Sequence, residues 1–247
     1  RPSGTNRLNR QARESGIVPA TYDSDTLTNF EAGFKSTLAD GKIVLNGNLH
    51  TMNWDDFQST SYIYDLLTVA FVQNVGQATI TGLELESYFN ISDSFSASLM
   101  IALTDPEFKE DIYDLQGELS TPKGNQLAYV PTEQFVMSMN KDFVIRNRDA
   151  YISYDHSYTG ESYQSSANTD TNASYSLANL RFGVNPSSKG SSDADDIFGF
   201  LQNSSVEVYL ENVHDSDPTL GIYDDFGDVR RTGSKPRTIG LRLRYRF

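Results

Sequence analysis

The sequence predicts an all-β protein built from long antiparallel strands. Stretches in which apolar and polar residues alternate with a period of two recur along the chain, and no convincing helical periodicity interrupts them. Several of these stretches exceed the length of about five or six residues that is usual for strands of soluble proteins. A strand that crosses a bilayer at a tilt needs about 9 to 11 residues. Strand length therefore favours an antiparallel transmembrane β-barrel.

Nine segments show the alternation and are the predicted strands. They cover residues 29–38, 42–54, 77–89, 94–104, 133–145, 149–159, 175–184, 204–213 and 237–247. In the last of them, the apolar residues from Ile239 to Phe247 alternate with Gly240 and three arginines. An arginine facing lipid at the midplane would cost about 2 to 4 kcal/mol. We therefore expect the charged phase of each strand to face a wet or plugged lumen.

The connections between the predicted strands tend to alternate in length. Three short connections contain residues typical of tight turns, namely Asp40-Gly41, Ser92-Asp93 and Arg146-Asn147-Arg148. Long polar segments occupy about residues 55–76, 105–132, 160–174 and 214–236. Short turns on one rim and long loops on the outer rim are typical of outer-membrane barrels. Residues 185–203 depart from this rhythm, because they form a sizeable polar segment where parity predicts a short turn.

The charge and cysteine content exclude several classes of protein. The 247 residues carry 20 Lys and Arg against 33 Asp and Glu, a formal net charge of -13. This is the wrong sign for a nucleic-acid partner, because phosphate contacts need clustered cations. The absence of cysteine excludes disulfides and thiolate metal sites. No apolar stretch approaches the roughly 18 to 20 residues of a membrane helix, whereas barrel strands need only alternate.

The sequence shows no catalytic or metal-binding constellation. His50, His156 and His214 lie on separate predicted elements, and no Gly-x-Ser-x-Gly elbow is present. The acidic clusters at residues 193–196, 214–218 and 223–228 lack the spacing of an EF-hand loop. We predict neither an enzyme nor a bound cofactor or metal, although membrane-barrel hydrolases keep the enzyme class open as an alternative.

Aromatic residues have two candidate roles. Some suit a girdle at the periplasmic interface, namely Tyr88, Phe89, Tyr245 and Phe247. Others lie in the long loops, where they could contact a ligand, namely Tyr62, Tyr64, Tyr113, Tyr163 and Tyr223. The sequence does not choose among the loop aromatics.

Six segments occur in an order that resembles a known family. They are TLTNFEAGFKS (26–36), DGKIVLNGNLHTMNWDDFQ (40–58), NVGQATITGLELE (74–86), GNQLAYVPTEQ (124–134), YLENVHD (209–215) and PRTIGLRLRYRF (236–247). Together they resemble the C-terminal part of the barrel of a TonB-dependent outer-membrane receptor of the siderophore-receptor type. Within TGLELE, we expect Leu83 and Leu85 to face lipid, Glu84 and Glu86 to face inward, and Gly82 to leave room for a neighbouring side chain.

The resemblance implies a fold and a function for the whole receptor. Residues 1–247 would be the C-terminal part of a barrel of about 22 strands that encloses a plug, and the plug domain would be absent from this chain. The protein would import a scarce nutrient, first of all a ferric siderophore complex, across the outer membrane of a Gram-negative bacterium. Its partners would be TonB acting through the plug, outer-membrane lipid and lipopolysaccharide, and the barrel assembly machinery.

Two alternatives share many of these features. A passive porin or an adhesin-type barrel would have the same strands, girdles and terminal phenylalanine, and a soluble all-β domain would place its charged phase in bulk water. The last strand bears on this choice. Gly240, Leu243, Tyr245 and Phe247 match the C-terminal signal by which the assembly machinery recognises an unfolded barrel of the family.

Overall fold

Nine long strands form one antiparallel sheet in which spatial order follows chain order. The computed structural model describes residues 1–63, 69–145, 148–186, 204–225 and 228–245. The sheet contains β1 (Thr26–Leu38), β2 (Ile43–Asp55), β3 (Ala78–Ser92), β4 (Phe95–Phe108), β5 (Glu133–Ile145), β6 (Arg148–Thr159), β7 (Tyr175–Val184), β8 (Ser204–Glu211) and β9 (Thr238–Tyr245). The nine predicted strands are confirmed, with ends shifted by a few residues.

The register of the sheet separates two faces of opposite character. Leu49 of β2 lies opposite Leu83 of β3, which in turn lies opposite Leu103 of β4. At the other edge, Val208 of β8 lies opposite Leu241 of β9. Directly opposed residues share a face, so these pairs belong to one continuous apolar face.

The apolar face is exposed rather than covered by a second layer. Phe30 is 67% exposed and Leu241 is 69% exposed, although a water-soluble sheet must bury its apolar face against another element. The opposite face, which we call the polar face, carries Glu31, Glu84 and Arg242. The predicted division between Leu83 and Leu85 on one side and Glu84 and Glu86 on the other is confirmed by the register. The apolar face thus has the character of a surface in contact with lipid.

The girdle assignment of Tyr88 is wrong. Phe89 pairs with Ala97 and lies on the apolar face, whereas Tyr88 pairs with Ser98 on the polar face. Consecutive strand residues point to opposite faces, so the two aromatic rings do not belong to one girdle. Phe89 keeps its position near the turn, next to the end of β3.

Tight turns close one end of the sheet. Ala39, Asp40 and Gly41 all have positive φ values and connect β1 to β2, and the turn between β3 and β4 follows Ser92 directly. Both turns lie where the sequence predicts them. Arg146 and Asn147, between β5 and β6, lie outside the described residues, as do residues 187–203 of the segment that departs from the loop rhythm.

The opposite end of the sheet carries the long connections, and each contains a hairpin that the sequence pattern does not predict. The paired segments are Gln58–Ile63 with Val69–Asn74, Ile112–Tyr113 with Leu119–Thr121, Ser162–Tyr163 with Thr171–Asn172, and Thr219–Asp225 with Asp228–Gly233. We refer to the connections that contain them as outer loops 1 to 4. The long segments therefore have a defined structure above the wall.

Residues 1–25 fold against outer loop 1. Gly4–Thr5 pairs with Thr21–Tyr22, and a short helix, α1 (Arg10–Ser15), lies between these strands. The Asn9 side chain caps the helix by accepting a hydrogen bond from the Ala12 amide at 2.8 Å. Ala12 and Phe71 belong to one small cluster of buried residues, which joins the N-terminal segment to the loop hairpin. Among the described residues, no helix is long and apolar enough to cross a membrane.

Candidate ligand-binding surface and inner face

Hydrogen bonds join outer loops 2, 3 and 4 into one surface. The Tyr129 amide of loop 2 donates to the Tyr163 carbonyl of loop 3 at 2.8 Å, and its hydroxyl donates to the Ile222 carbonyl of loop 4 at 3.1 Å. The Asn168 side chain of loop 3 accepts from the Gln126 amide at 2.7 Å and donates to the carbonyl of the same residue at 2.9 Å. Because each of these three loops is tied to another, they form one connected surface.

A buried carboxylate anchors the N-terminal segment beside outer loop 1. Asp25 accepts hydrogen bonds from Arg1 Nε at 2.8 Å and from Trp54 Nε1 at 3.0 Å. The Arg1 guanidinium also donates to the Gln58 carbonyl at 2.7 Å and lies over the Trp54 ring. Burial by itself raises the pKa of Asp25, but the hydrogen bonds from Arg1 and Trp54 outweigh it and hold the pKa well below its ordinary value.

The first cleft on this surface has a volume of about 560 Å³ and lies between outer loops 1 and 2. Phe57 and Phe108 form an aromatic wall, with ring centroids 6.2 Å apart in an edge-to-face arrangement. Hydroxyl and amide side chains, including Ser59 and Gln73, line another part of the cleft. This cleft combines an apolar wall with hydrogen-bonding groups, which is the usual composition of a small-molecule site.

The second cleft has a volume of about 570 Å³ and lies between outer loops 3 and 4. Asn172 lines it from loop 3, and Asp217 and Thr219 line it from loop 4. Arg231 holds these two loop 4 residues in place, because it donates hydrogen bonds to Thr219 Oγ1 at 2.6 Å and to the Asp217 carbonyl at 2.6 Å. The Ser162–Asn172 portion of loop 3 contributes residues to both clefts, since Ser166 lines the first.

Two of the predicted ligand-contacting aromatics can be placed. Tyr113 lines the first cleft and is 55% exposed, so its position fits a ligand contact. Tyr163 is partly buried and its carbonyl is bonded to Tyr129, so it contributes to loop organisation. Tyr64 lies outside the described residues, as do the side chains of Tyr62 and Tyr223.

The histidines are closer in space than their separation in the sequence indicates. His156 on β6 and His214 after β8 have ring centroids 6.3 Å apart, while His50 lies on β2 above Gly82. Phe135 stacks on His156 at 5.6 Å. Within the described part of the chain, no group of three or more His, Cys, Asp or Glu side chains is arranged to hold a metal ion. The histidine pair therefore belongs to an aromatic cluster on the wall.

The polar face carries two different sets of charges. Towards β1 and β3, Glu31 is bonded to the Asn29 amide at 3.3 Å and Glu86 to the Asn46 amide at 3.4 Å, and Glu84 lies on the same face. Lys35 is the one cation among the described residues of this region, and it faces three carboxylates. This part of the wall therefore presents negative charge to the interior.

Near the last strand, two arginines of the polar face are paired with carboxylates. The Arg242 guanidinium donates to Glu207 of β8, and the Tyr151 hydroxyl donates to the other oxygen of the same carboxylate. Arg181 and Asp155 form a further pair at 3.7 Å. Arg242 of the terminal strand is thus bonded to the neighbouring strand on the polar face. This agrees with the prediction that the charged residues of the strand face away from lipid.

The residues of the predicted assembly signal lie on different faces of β9. Leu243 and Tyr245 extend from the apolar face and are exposed, whereas Gly240 lies opposite Tyr209 on the polar face. A methyl group at Gly240 would overlap the Tyr209 ring. Phe247 lies outside the described residues. The arrangement gives Gly240 a packing role, and the signal itself stays a prediction.

These features define a class of protein. A sheet of long antiparallel strands with an exposed apolar face, a charged opposite face, tight turns at one end and organised loops at the other is the wall of an outer-membrane β-barrel. The chain belongs to the family of TonB dependent receptor-like β-barrels, whose model matches residues 1–213. It is therefore part of an outer-membrane protein of a Gram-negative bacterium.

Solved structures of this architecture resemble the chain in fold. The ferric yersiniabactin uptake receptor FyuA from Yersinia pestis has a TM-score of 0.73 at 18% identity, over 100% of this chain and 33% of that one. The siderophore receptor PiuA from Acinetobacter baumannii has a TM-score of 0.65 at 17% identity, over 88% and 28%. The copper transporter OprC has a TM-score of 0.64 at 13% identity, over 92% and 32%.

The chain spans about a third of the length of these structures. No curated protein matches it in sequence. Because the identities are low, the likeness shows a shared barrel architecture. One of the similar structures is a copper transporter and two are named for siderophores or their ferric complexes, so the fold accommodates more than one cargo.

Proposed function

We propose that the chain supplies wall and outer loops to a TonB-dependent importer of a scarce nutrient, with a ferric siderophore complex as the first candidate. Its membership of the receptor family supports import. The observation that carries the proposal is the loop surface, in which Tyr129 bonds to both Tyr163 and Ile222. A passive pore has no need for interlocked loops that enclose two clefts, whereas a receptor must hold its ligand before transport.

The polar face supports a plug inside the barrel. Glu31, Glu84 and Glu86 supply three carboxylates beside the single cation Lys35, and the described hydrogen-bond partners of Glu31 and Glu86 are neutral amides. A charged surface facing a lumen is favourable if water or a domain with cationic groups covers it. We propose that a plug of the full receptor docks there with Arg or Lys side chains and that TonB acts through this plug. The apolar face would contact membrane lipid and, at its outer rim, lipopolysaccharide.

The deciding experiment measures uptake by the full receptor. The complete gene is expressed in a receptor-deficient strain, and entry of iron-loaded siderophores is compared in cells with and without TonB. Accumulation that needs both the receptor and TonB is the expected result. Entry that proceeds equally without TonB would contradict the proposal and favour a passive porin.

A matched pair of variants tests the inner surface. Glu84→Gln removes a carboxylate from the polar face, and Asp93→Asn removes an exposed carboxylate from the turn between β3 and β4. Uptake should fall with Glu84→Gln and stay unchanged with Asp93→Asn, provided that both proteins reach the membrane in equal amounts. Equal uptake by both variants would count against plug docking at Glu84.

A further inference from the structure

The second cleft contains a buried hydrogen-bond acceptor without a partner. Asn172 is 8% exposed, and its amide nitrogen donates to Ser162 Oγ at 3.4 Å. Its side-chain oxygen is buried and has no hydrogen-bond partner among the described residues. Buried polar atoms in native proteins are almost always paired. An unpaired oxygen on a residue that lines a cleft therefore indicates a donor that comes from outside the chain.

The chemistry of the cleft lining indicates the charge of the ligand that would supply this donor. Hydroxyl and amide groups predominate, among them Gln164, Thr171, Ser174, Ser176 and Ser216. Asp217 is the one charged residue among those described as lining the cleft, and its carboxylate lies 3.3 Å from Arg231. An anionic ligand would lose its hydration here without meeting a cation that is free to replace it.

The charge of the surrounding loops also disfavours an anionic ligand. In each of outer loops 1 to 4, acidic residues outnumber basic residues, and the whole chain has a formal net charge of -13. Clefts surrounded by one sign of charge repel ions of that sign during approach and in the bound state. The outer surface therefore disfavours an anion both before and after it enters the cleft.

We infer that the second cleft binds an uncharged ligand that presents N–H or O–H donors, one of which bonds to the Asn172 side-chain oxygen. The inference rests on the proposed import function and narrows its substrate class. A ferric trihydroxamate is neutral, because three hydroxamate anions balance the charge of Fe³⁺, and its amide and hydroxyl periphery supplies donors. A neutral oligosaccharide shares this chemistry. A ferric tricatecholate, which carries three negative charges, does not.

Binding by the full receptor in detergent tests this inference. The probes are a neutral ferric trihydroxamate, a neutral oligosaccharide and a trianionic ferric tricatecholate, and calorimetry gives the affinity of each. At least one neutral probe should bind about tenfold or more tightly than the anion, and Asn172→Leu, which removes the acceptor at similar volume, should weaken that binding about tenfold. Asn90→Leu, at an exposed site on the opposite rim, should leave the affinity unchanged.

A second variant keeps the test informative if Asn172→Leu folds poorly. Ser174 lines the cleft and is exposed, so Ser174→Trp should obstruct the cleft without disturbing buried groups and should also lower the affinity for the neutral probe. Tight binding and TonB-dependent uptake of the tricatecholate, unaffected by either variant, would overturn the inference and leave the import function in place. Uptake of every probe without TonB would instead overturn import, while the affinities would still decide the charge of the ligand.

Discussion

The aromatic ring of Tyr209 on β8 lies over Gly240 on β9, directly across the strand pair. The same relationship links Tyr151 with Gly183, His50 with Gly82, and Phe34 with Gly47. A ring placed over a cross-strand glycine covers backbone that would otherwise be exposed and pins the register. At the last strand, Arg242 also holds the Tyr209 ring in place through a cation–π contact, with its guanidinium 5.4 Å from the ring centre.

Gly240→Ala should impair barrel assembly. The added methyl group would displace the Tyr209 ring, and overpacking of this kind costs about 1 to 3 kcal/mol. The folded fraction of the full receptor, measured by the change in gel mobility on heating, should therefore decrease. Combining Gly240→Ala with Tyr209→Ala should recover part of the loss, since the double variant has no overlap. A double variant that is as impaired as the sum of the single variants would contradict the packing role.

Deletion of Phe247 should reduce the amount of receptor in the outer membrane. By resemblance to the family, we propose that this residue completes the assembly signal formed with Gly240, Leu243 and Tyr245. Immunodetection in membrane fractions would compare deletion of Phe247 with Leu241→Ala, which changes an exposed residue of the same strand outside the signal. Equal amounts of the two proteins would refute the signal.

The ion pair between Arg242 and Glu207 should contribute modestly to stability. Arg242 is about half exposed, so solvent screens the interaction, and a pair of this kind is worth about 0.2 to 1 kcal/mol. A double-mutant cycle with Arg242→Met and Glu207→Gln, followed by thermal unfolding of the full receptor, should give a coupling within this range that decreases at high salt. A coupling of zero at low salt would show that the pair is not formed in solution.

Docking of residues 1–25 should depend on the charge of Asp25. Because hydrogen bonds hold its pKa below the ordinary value, the stabilisation is fully present above the unfolded pKa of about 4 and is lost as the pH falls further. Hydrogen exchange of residues 1–25 should be constant from pH 8 to about pH 5, after correction for intrinsic rates, and should increase below about pH 4.

A single substitution separates the contribution of Asp25 from the contributions of the other acidic residues. Asp25→Asn should increase exchange of residues 1–25 at neutral pH, because a neutral amide cannot replace the charged acceptor of Arg1 and Trp54. Asp23→Asn provides the control, since Asp23 is exposed and is bonded through its backbone. Similar exchange in both variants would rule out Asp25 as the anchor.

The strands and their two faces follow from the order of the amino acids alone. A period of two is a local property, so the alternation around Leu83 and Glu84, and around Leu241 and Arg242, predicts which side chains share a face before any pairing is known. The sequence also predicts room for a neighbouring side chain at Gly82, because glycine has no side chain, and the His50 ring occupies that space. The same alternation contradicts the girdle position proposed for Tyr88, because Tyr88 and its neighbour Phe89 point to opposite faces of the strand.

Contacts between residues that are distant in the chain could not be predicted from the sequence, because they depend on the assembled fold. The contact of Tyr129 with Ile222, the second cleft around Asn172 and the proximity of His156 to His214 join residues far apart in the chain. Such contacts depend on the register of several strands and on hairpins within loops that have no regular apolar period. Strand alternation follows from neighbouring residues, whereas the outer surface forms only after the wall has brought its loops together.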